Sequence, residues 1–226
     1  MDEKAVTIIG GTGDQGFGLA LRWAKAGYRV VIGSRDLARA QEAAGRVREA
    51  VGATAQVEGQ ENAQAASLAR LVVLSVPFEA QVKTLAGLRG AWKAGQVLVD
   101  LTVPLEATVG GSPSRMLGVW AGSAAEQAAA NVPPGVEVVA AFHSVSAHAL
   151  QHLEAAVDCD AIVCADSLET RKSLRPWVEA IPGCRYVDGG KLENARIVES
   201  ITALLIGINR RYKIQVSGIR VTGLPQ

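Results

Sequence analysis

The feature that most restricts this chain is a glycine pattern near its start. An apolar run, Ala5 to Ile9, leads straight into Gly10-Gly11-Thr12-Gly13-Asp14-Gln15-Gly16, in which Gly11, Gly13 and Gly16 satisfy G-x-G-x-x-G. Between a strand and a helix the spacing has a physical logic: Gly11 lets the chain turn sharply, Gly13 lets backbone approach a diphosphate, and Gly16 lets the helix pack against the strand. Free N–H groups and the positive dipole end at the helix start then hold the anion. A glycine loop alone can be no more than a turn. Here a second β-run, Arg29 to Gly33, follows at the distance a βαβ unit needs, and the pattern predicts a dinucleotide site.

In such sites an acid about 20 residues on accepts hydrogen bonds from the adenosine ribose. This chain has Gly33-Ser34-Arg35 there, with Arg39 one helical turn later. A carboxylate would repel a ribose 2′-phosphate, whereas a hydroxyl and two guanidiniums match it. The predicted cofactor is NADP(H). Two charge-assisted contacts of about 1.5–3 kcal/mol each favour it over NAD by roughly a hundredfold or more. The plainer reading makes Arg35 and Arg39 solvated residues of a helix start.

β-Branched apolar runs alternate with alanine-rich stretches of helical period, which predicts an α/β, Rossmann-type doubly wound parallel sheet. Further strands are expected at Thr54–Glu58, Leu71–Val76, Gln96–Leu101 and Val136–Ala141. Helices are expected at about Asp14–Ala26, Leu37–Val51, Asn62–Ala69 and Glu79–Arg89, with Gly27 and Gly52 as left-handed caps. Between Pro104 and Gly135 the pattern loosens around a short helix, Ala124–Ala130. After His143 come helices at Ala147–Ala155, Leu168–Ala180 and Glu193–Arg211 and strands at Ala161–Ala165 and Arg185–Val187. The expected division is an NADP-binding domain over 1–142 and a small C-terminal lobe over 143–226 that closes a substrate cleft.

Composition bounds the function. With 49% hydrophobic and 20% charged residues the chain can bury a core, and 23 Lys and Arg against 22 Asp and Glu give no global field for nucleic acid or an anionic membrane. Cys159, Cys164 and Cys184 stand at no metal spacing and suit reduced thiols in a cytoplasm. The start, MDEKAVTIIGG, lacks the basic opening of a secretion signal. The apolar stretch Ile201–Ile208 is too short to span a bilayer. The long apolar C-terminal helix predicts a homodimer.

Ligands of open α/β sheets bind at the carboxyl edge. There Val76-Pro77-Phe78 leaves the fourth strand and can pack the nicotinamide side, or serve as a plain strand exit; Leu101-Thr102-Val103-Pro104 repeats the pattern. His143 follows the sixth strand and can act as an acid, a donor to substrate, or nothing. No Tyr-x-x-x-Lys pair is present, His148 and His152 have no third metal ligand, and Asp158 and Asp160 read as solvated turn residues. No catalytic side chain and no metal are expected. That suits hydride transfer between two redox rings, which asks the protein for alignment at about 3–3.5 Å and exclusion of water.

The chain resembles the NADPH-dependent reductases of coenzyme F420. The matching pieces are Gly10-Gly11-Thr12-Gly13 with Gly16-Phe17-Gly18-Leu19-Ala20, Val31-Ile32-Gly33-Ser34-Arg35, Val76-Pro77-Phe78, Ala141-Phe142-His143 and Asn194-Ala195-Arg196-Ile197-Val198-Glu199-Ser200. The resemblance covers nearly the whole chain and departs at Ser146, where proline is expected, and in the basic Arg210-Arg211-Tyr212-Lys213. It implies NADP contacts at Thr12, Gly13, Asp14, Gln15, Ser34, Arg35, Arg39, Val76, Val103 and Ala141, and a deazaflavin contact at Ser217. The expected reaction is reversible hydride transfer between NADP(H) and F420, with Thr12 and Val76 bracketing the nicotinamide. The partners expected are small redox coenzymes. A flavin or ferric-chelate reductase and a non-catalytic NADP sensor are the alternatives.

Overall fold

The computed structural model describes residues 4–224; the remainder, including the acids Asp2 and Glu3 of the expected non-secretory start, lies outside the described residues. Chain order runs β1 (Ala5–Ile9), α1 (Asp14–Lys25), β2 (Arg29–Ser34), α2 (Leu37–Val51), β3 (Val57–Glu61), α3 (Asn62–Ala66), β4 (Leu71–Leu74), α4 (Phe78–Gly87) and β5 (Val97–Asp100). It continues through α5 (Ala124–Ala129), β6 (Glu137–Ala140), α6 (Ala147–Gln151), β7 (Cys159–Cys164), α7 (Leu168–Ser173), α8 (Arg175–Glu179), β8 (Cys184–Gly190) and α9 (Ala195–Tyr212).

The strands form one sheet in the order β3-β2-β1-β4-β5-β6-β7-β8. Every neighbouring pair is parallel except β6 with β7, which meet antiparallel at Ala140 and Cys164. β1, β4 and β5 are buried at every position, as parallel strands covered on both faces must be, which is why they read as unbroken apolar runs. Successive side chains point to opposite faces. Ile8 joins Leu19, Trp23, Ile32 and Val47 in one core layer, and Ile9 joins Val31, Leu74, Leu85 and Val198 in the other. The chain winds outward from β1 through β2 to β3 and then returns to the other side of β1 with β4. This reversal opens a crevice at the carboxyl ends of β1 and β4.

Several elements differ from the sequence reading. The third strand begins at Val57 rather than Thr54, because Gly52–Ala55 closes a turn and Val57 is the residue that pairs with Val30. Gly59 is obligatory there, since a Cβ would sit 2.3 Å from the Ala40 carbonyl carbon of α2. The helix expected over Leu168–Ala180 is two helices, broken where Pro176, without an N–H, restarts the chain. Gly27 and Gly52 both take positive φ (84° and 121°), but Gly52 pairs it with an extended ψ rather than the left-handed helical one.

The helix expected to reach Ala155 stops at Gln151 because a distant side chain satisfies its carbonyls. Arg22 of α1 is buried, and its guanidinium donates to the backbone oxygens of Leu150, Ala149, His152 and Ala155 at 2.8, 2.7, 2.6 and 2.9 Å. Beside it Trp23, fully buried, donates its indole N–H to the Trp177 carbonyl at 2.8 Å and meets Phe142 and Trp177 edge-on. α1 is thereby fixed to the segment that follows β6. Replacing Arg22 by Met leaves the oxygens of Leu150, Ala149 and Ala155 without that donor, whereas the His152 oxygen keeps the Ala155 N–H. The expected loss is about 3 kcal/mol or more, read as a lower denaturation midpoint in urea.

Candidate active site

The crevice between β1 and β4 is shaped by close backbone approach. Ser75 N–H donates to the Ile9 carbonyl at 2.9 Å. Gly10 takes φ +78°, and a Cβ on it would stand 2.3 Å from the Ser75 oxygen. The sharp turn therefore falls at Gly10, one residue before the expected Gly11. Gly11 is instead packed on β1 and β2, where a Cβ would meet the Ile8 oxygen at 3.0 Å. Gly16 does what its spacing predicts: a Cβ there would lie 2.9 Å from the Gly11 Cα. Gly13 begins α1 with no side-chain cap, whereas Asp36, Ser123, Ser146 and Ser167 cap α2, α5, α6 and α7. The N–H groups of Asp14, Gln15 and Gly16 precede the first bond of α1, Phe17 N–H to the Gly13 carbonyl at 2.8 Å, and Gly13, Asp14 and Gln15 lie at the crevice, where open N–H groups can receive an anion.

On one side of the glycine turn lies a cavity of about 310 Å³ walled by Thr12, Gly13, Ser34, Arg35, Arg39, Asn62 and Thr84. Among the described residues no hydrogen bond or ion pair engages the guanidinium of Arg35 or Arg39, and both are exposed. Ser34 is buried, and its oxygen accepts from the Asp36 N–H at 3.2 Å, leaving its own proton to donate. Asp36 is the one acid in this wall; its Oδ1 caps α2 by accepting from the N–H groups of Ala38 and Arg39. Asn62 and Thr84 were not foreseen, because nothing in their local spacing marks them.

On the other side a cleft of about 510 Å³ shares Gly13, Ser75, Val76 and Pro77 with that cavity. Asp14, Gln15, Phe78, Val103 and Ser217 line it as well. The Gln15 side chain is occupied, donating to the carbonyls of Phe142 and Val145 at 3.3 and 3.1 Å. Gly11 and Ala141 line neither space; Ala141 is fully buried beneath. The sequence reading missed the face of α9 formed by Thr202, Leu205, Ile206 and Asn209, all of which line the cleft. They share one face at i, i+3, i+4, i+7 spacing, but Thr202 and Asn209 are polar, so no apolar stripe marks that face in the sequence.

The floor of the cleft is strained and buried. Phe142 is buried with φ 65°, a left-handed conformation costly for an aromatic residue. It is followed by His143, also buried, whose two ring nitrogens have no hydrogen-bond partner of ordinary geometry among the described residues. Burial pulls that imidazole down to about 4, with the Thr102 backbone opposing in part. His143 is therefore neutral near pH 7. Thr202 Oγ1 donates to the His143 carbonyl at 2.8 Å and ties α9 to this floor. Elsewhere, His152 Nδ1 lies 2.7 Å from the His148 carbonyl, and no group of three metal-ligating side chains occurs among the described residues.

Behind the floor are two buried acids. Asp100, at the end of β5, accepts from Gln81 Nε2 at 3.0 Å and Thr102 Oγ1 at 2.7 Å. Burial raises it to about 7 against those two bonds. Glu199 of α9 accepts from the N–H groups of Ala124 and Ala125 at 2.9 and 3.0 Å. It is raised to about 8, by burial first and by the field of Asp100 and Glu126. Asp158 and Asp160, read from sequence as solvated, differ from each other: Asp158 is exposed and Asp160 fully buried between Arg185 and Arg220.

A doubly wound sheet with an uncapped helix at its switch point, unpaired arginines beside it and an apolar cleft beyond defines a Rossmann-type, dinucleotide-dependent oxidoreductase. Residues 5–104 match the family described as NADP oxidoreductase, coenzyme F420-dependent. The chain is 47% identical over 223 residues to the F420-dependent NADP reductase of Methanothermobacter thermautotrophicus, covering 98% of this chain and 96% of that one. It is 42% identical to the F420-dependent NADP reductase of Methanocaldococcus jannaschii, covering 97% and 98%. A crystal structure from Arthrobacter sp. FB24 superposes with a TM-score of 0.79 at 22% identity over 97% of this chain and 99% of that one, a likeness of fold. The chain belongs to the family of F420-dependent NADP reductases.

The buried acids carry a pH consequence. Both sit above their unfolded values near 4, so the folded state keeps protons that the unfolded state releases. Their contribution is fully present below about pH 4 and is lost as pH rises through about 7 for Asp100 and about 8 for Glu199. Asp100→Asn keeps an acceptor for Gln81 and Thr102 and removes the titration. Its melting temperature relative to the unsubstituted protein is expected to be higher at pH 9 than at pH 5, as thermal denaturation at the two values would show.

Proposed function

We infer that this chain catalyses reversible hydride transfer between NADP(H) and the deazaflavin coenzyme F420. The observation that carries the reading is the continuity of two unlike spaces: a cationic corner sized for a phosphorylated ribose opens, across Gly13, Ser75, Val76 and Pro77, into an apolar cleft. Family membership supplies the identity of the two coenzymes.

In this reading Ser34, Arg35 and Arg39 grip the 2′-phosphate, and the backbone N–H groups from Asp14 onward hold the diphosphate. Thr12 and Val76 bracket the nicotinamide side. Pro77, Phe78 and Val103 wall the cleft, Ala141 sets the height of the floor from below, and Ser217 closes the side given to the second coenzyme. The paired coenzymes supply the redox chemistry when bound. The protein's share is to align the exchanging carbons and keep water out. Of the residues lining the cleft only Asp14, at its rim, and His143 titrate. The neutral imidazole, with one donor and one acceptor to spare, anchors a polar ring edge rather than serving as an acid.

The segment from residue 143 on acts as the closing side of the cleft. A homodimer fits the outer face of α9, where Ile197, Leu204 and Tyr212 are 64%, 63% and 68% exposed with Ile201 and Ile208 half-buried between them. Three free, buried thiols suit the reducing cytoplasm, and among the described residues no helix is long and apolar enough to cross a membrane.

An anaerobic NADPH-oxidation assay tests the function: F420 is expected to be reduced, and FMN, FAD and ferric chelate are not. Preferred turnover on a flavin or a ferric chelate, or binding without turnover on any acceptor, would overturn the reading. Arg35→Ala is expected to weaken NADPH about 10- to 100-fold, the equivalent of one charge-assisted contact of about 1.5–3 kcal/mol, while NADH affinity stays as it was. Fluorescence titration with both nucleotides measures this.

A further inference from the structure

The side of the cleft opposite the nicotinamide corner is closed by a strap of chain rather than by a packed element. α9 ends at Lys213 in a left-handed conformation, φ 54°, and Ile214 N–H bonds back to the Asn209 carbonyl at 3.1 Å. The chain then runs back across the start of β7. Ser217 of this strap lines the cleft on one side and a second cavity, of about 560 Å³, on the other. With space on both sides, its place rests on a few polar contacts. Ser217 N–H reaches Asn209 Oδ1 at 3.2 Å, its hydroxyl reaches the Leu205 carbonyl at 3.3 Å, and Ser146 Oγ reaches the Gln215 carbonyl at 3.2 Å.

Two residues further on the hold tightens around one carboxylate. Asp160 is fully buried, and each of its oxygens accepts two bonds. Oδ1 takes Arg185 Nε at 2.9 Å and Arg220 Nη1 at 2.8 Å; Oδ2 takes Arg185 Nη2 and the Val221 N–H, both at 2.7 Å. The Asp160 N–H donates to the Ile219 carbonyl at 2.8 Å, and Arg185 Nη2 also donates to the Val221 carbonyl at 2.6 Å. Strap residues 219, 220 and 221 are therefore all locked to one side chain and its backbone. A buried carboxylate between two arginines stabilises a fold no better than well-packed apolar residues do; what it can supply is a unique register. One residue before the lock, a Cβ on Gly218 would stand 2.9 Å from Cys159 Sγ, so a slip of the strap by one residue meets β7.

We propose that Asp160 and Arg220 are positioning residues for the second coenzyme, acting through the strap to hold Ser217 at the cleft wall. The proposal rests on the assignment of that side of the cleft to F420. It does not involve the NADP corner, which shares no residue with the strap.

The test compares Asp160→Asn, Arg220→Ala and Arg220→Lys with the unsubstituted enzyme, each first shown to melt cooperatively. Arg220, partly exposed, is the variant that keeps the test open should Asp160→Asn fail to fold. In Arg220→Ala the KM for F420 is expected to rise about tenfold, the equivalent of about 1.4 kcal/mol of binding. kcat should fall less than that, and the Kd for NADPH, read by fluorescence, should stay unchanged. Arg220→Lys is expected to recover part of the loss. An unchanged F420 KM in Arg220→Ala, or equal losses for F420 and NADPH, overturns the proposal while the enzyme's function stands. Absence of F420 turnover in the unsubstituted enzyme overturns the functional reading and the proposal with it.

Discussion

The structure depends on one close approach of backbone to backbone. At the carboxyl end of β1 the chain turns at Gly10 so near the oxygen of Ser75, the residue after β4, that no side chain would fit, and Ser75 in turn bonds to Ile9. This contact sits where the winding of the sheet reverses. It brings the start of α1 and the exit from β4 together, so that the open helix end and the Val76-Pro77-Phe78 wall become parts of one site. Had Gly10 carried a β-carbon, the glycine turn and the strand exit would have been pushed apart and the cavity at Ser34 and Arg35 separated from the cleft.

Around that contact the fold uses polar groups as fasteners. Arg22 and Gln15 bind α1 to the chain after β6, Glu199 binds α9 to the first two N–H groups of α5, and Thr202 binds α9 to the carbonyl of His143. Each joins elements far apart in sequence across the borders of the cleft. The apolar layers supply the bulk of the burial. The fasteners decide where the walls stand relative to one another.

Much of the sheet was legible because a parallel strand covered on both faces has to be an unbroken apolar run, and the runs at Ala5, Arg29, Leu71 and Val97 are punctuated by glycine, proline or polar residues. The glycine turn and the cavity beside it were legible for a similar reason: Gly13, Gly16, Ser34 and Arg35 owe their places to local spacing from a strand end. What the sequence hid depends on partners from 25 to more than a hundred residues away. Nothing local marks Arg22 as buried; the fold brings the carbonyls of Leu150 and Ala155 to it. Asp160 reads as a turn residue until Arg185 and Arg220 close on it. The left-handed Phe142 has no local signature, and the inward face of α9 could not be told from its outward face by periodicity.

The neutral, buried imidazole of His143 gives the enzyme a particular temperament. A cleft whose inner imidazole is uncharged near pH 7 presents the same electrostatic face to both coenzymes whichever way the hydride moves. Such a catalyst works as an equilibrator: it lets two reservoirs of reducing power settle against each other, and the direction of flow is decided by how full each reservoir stands.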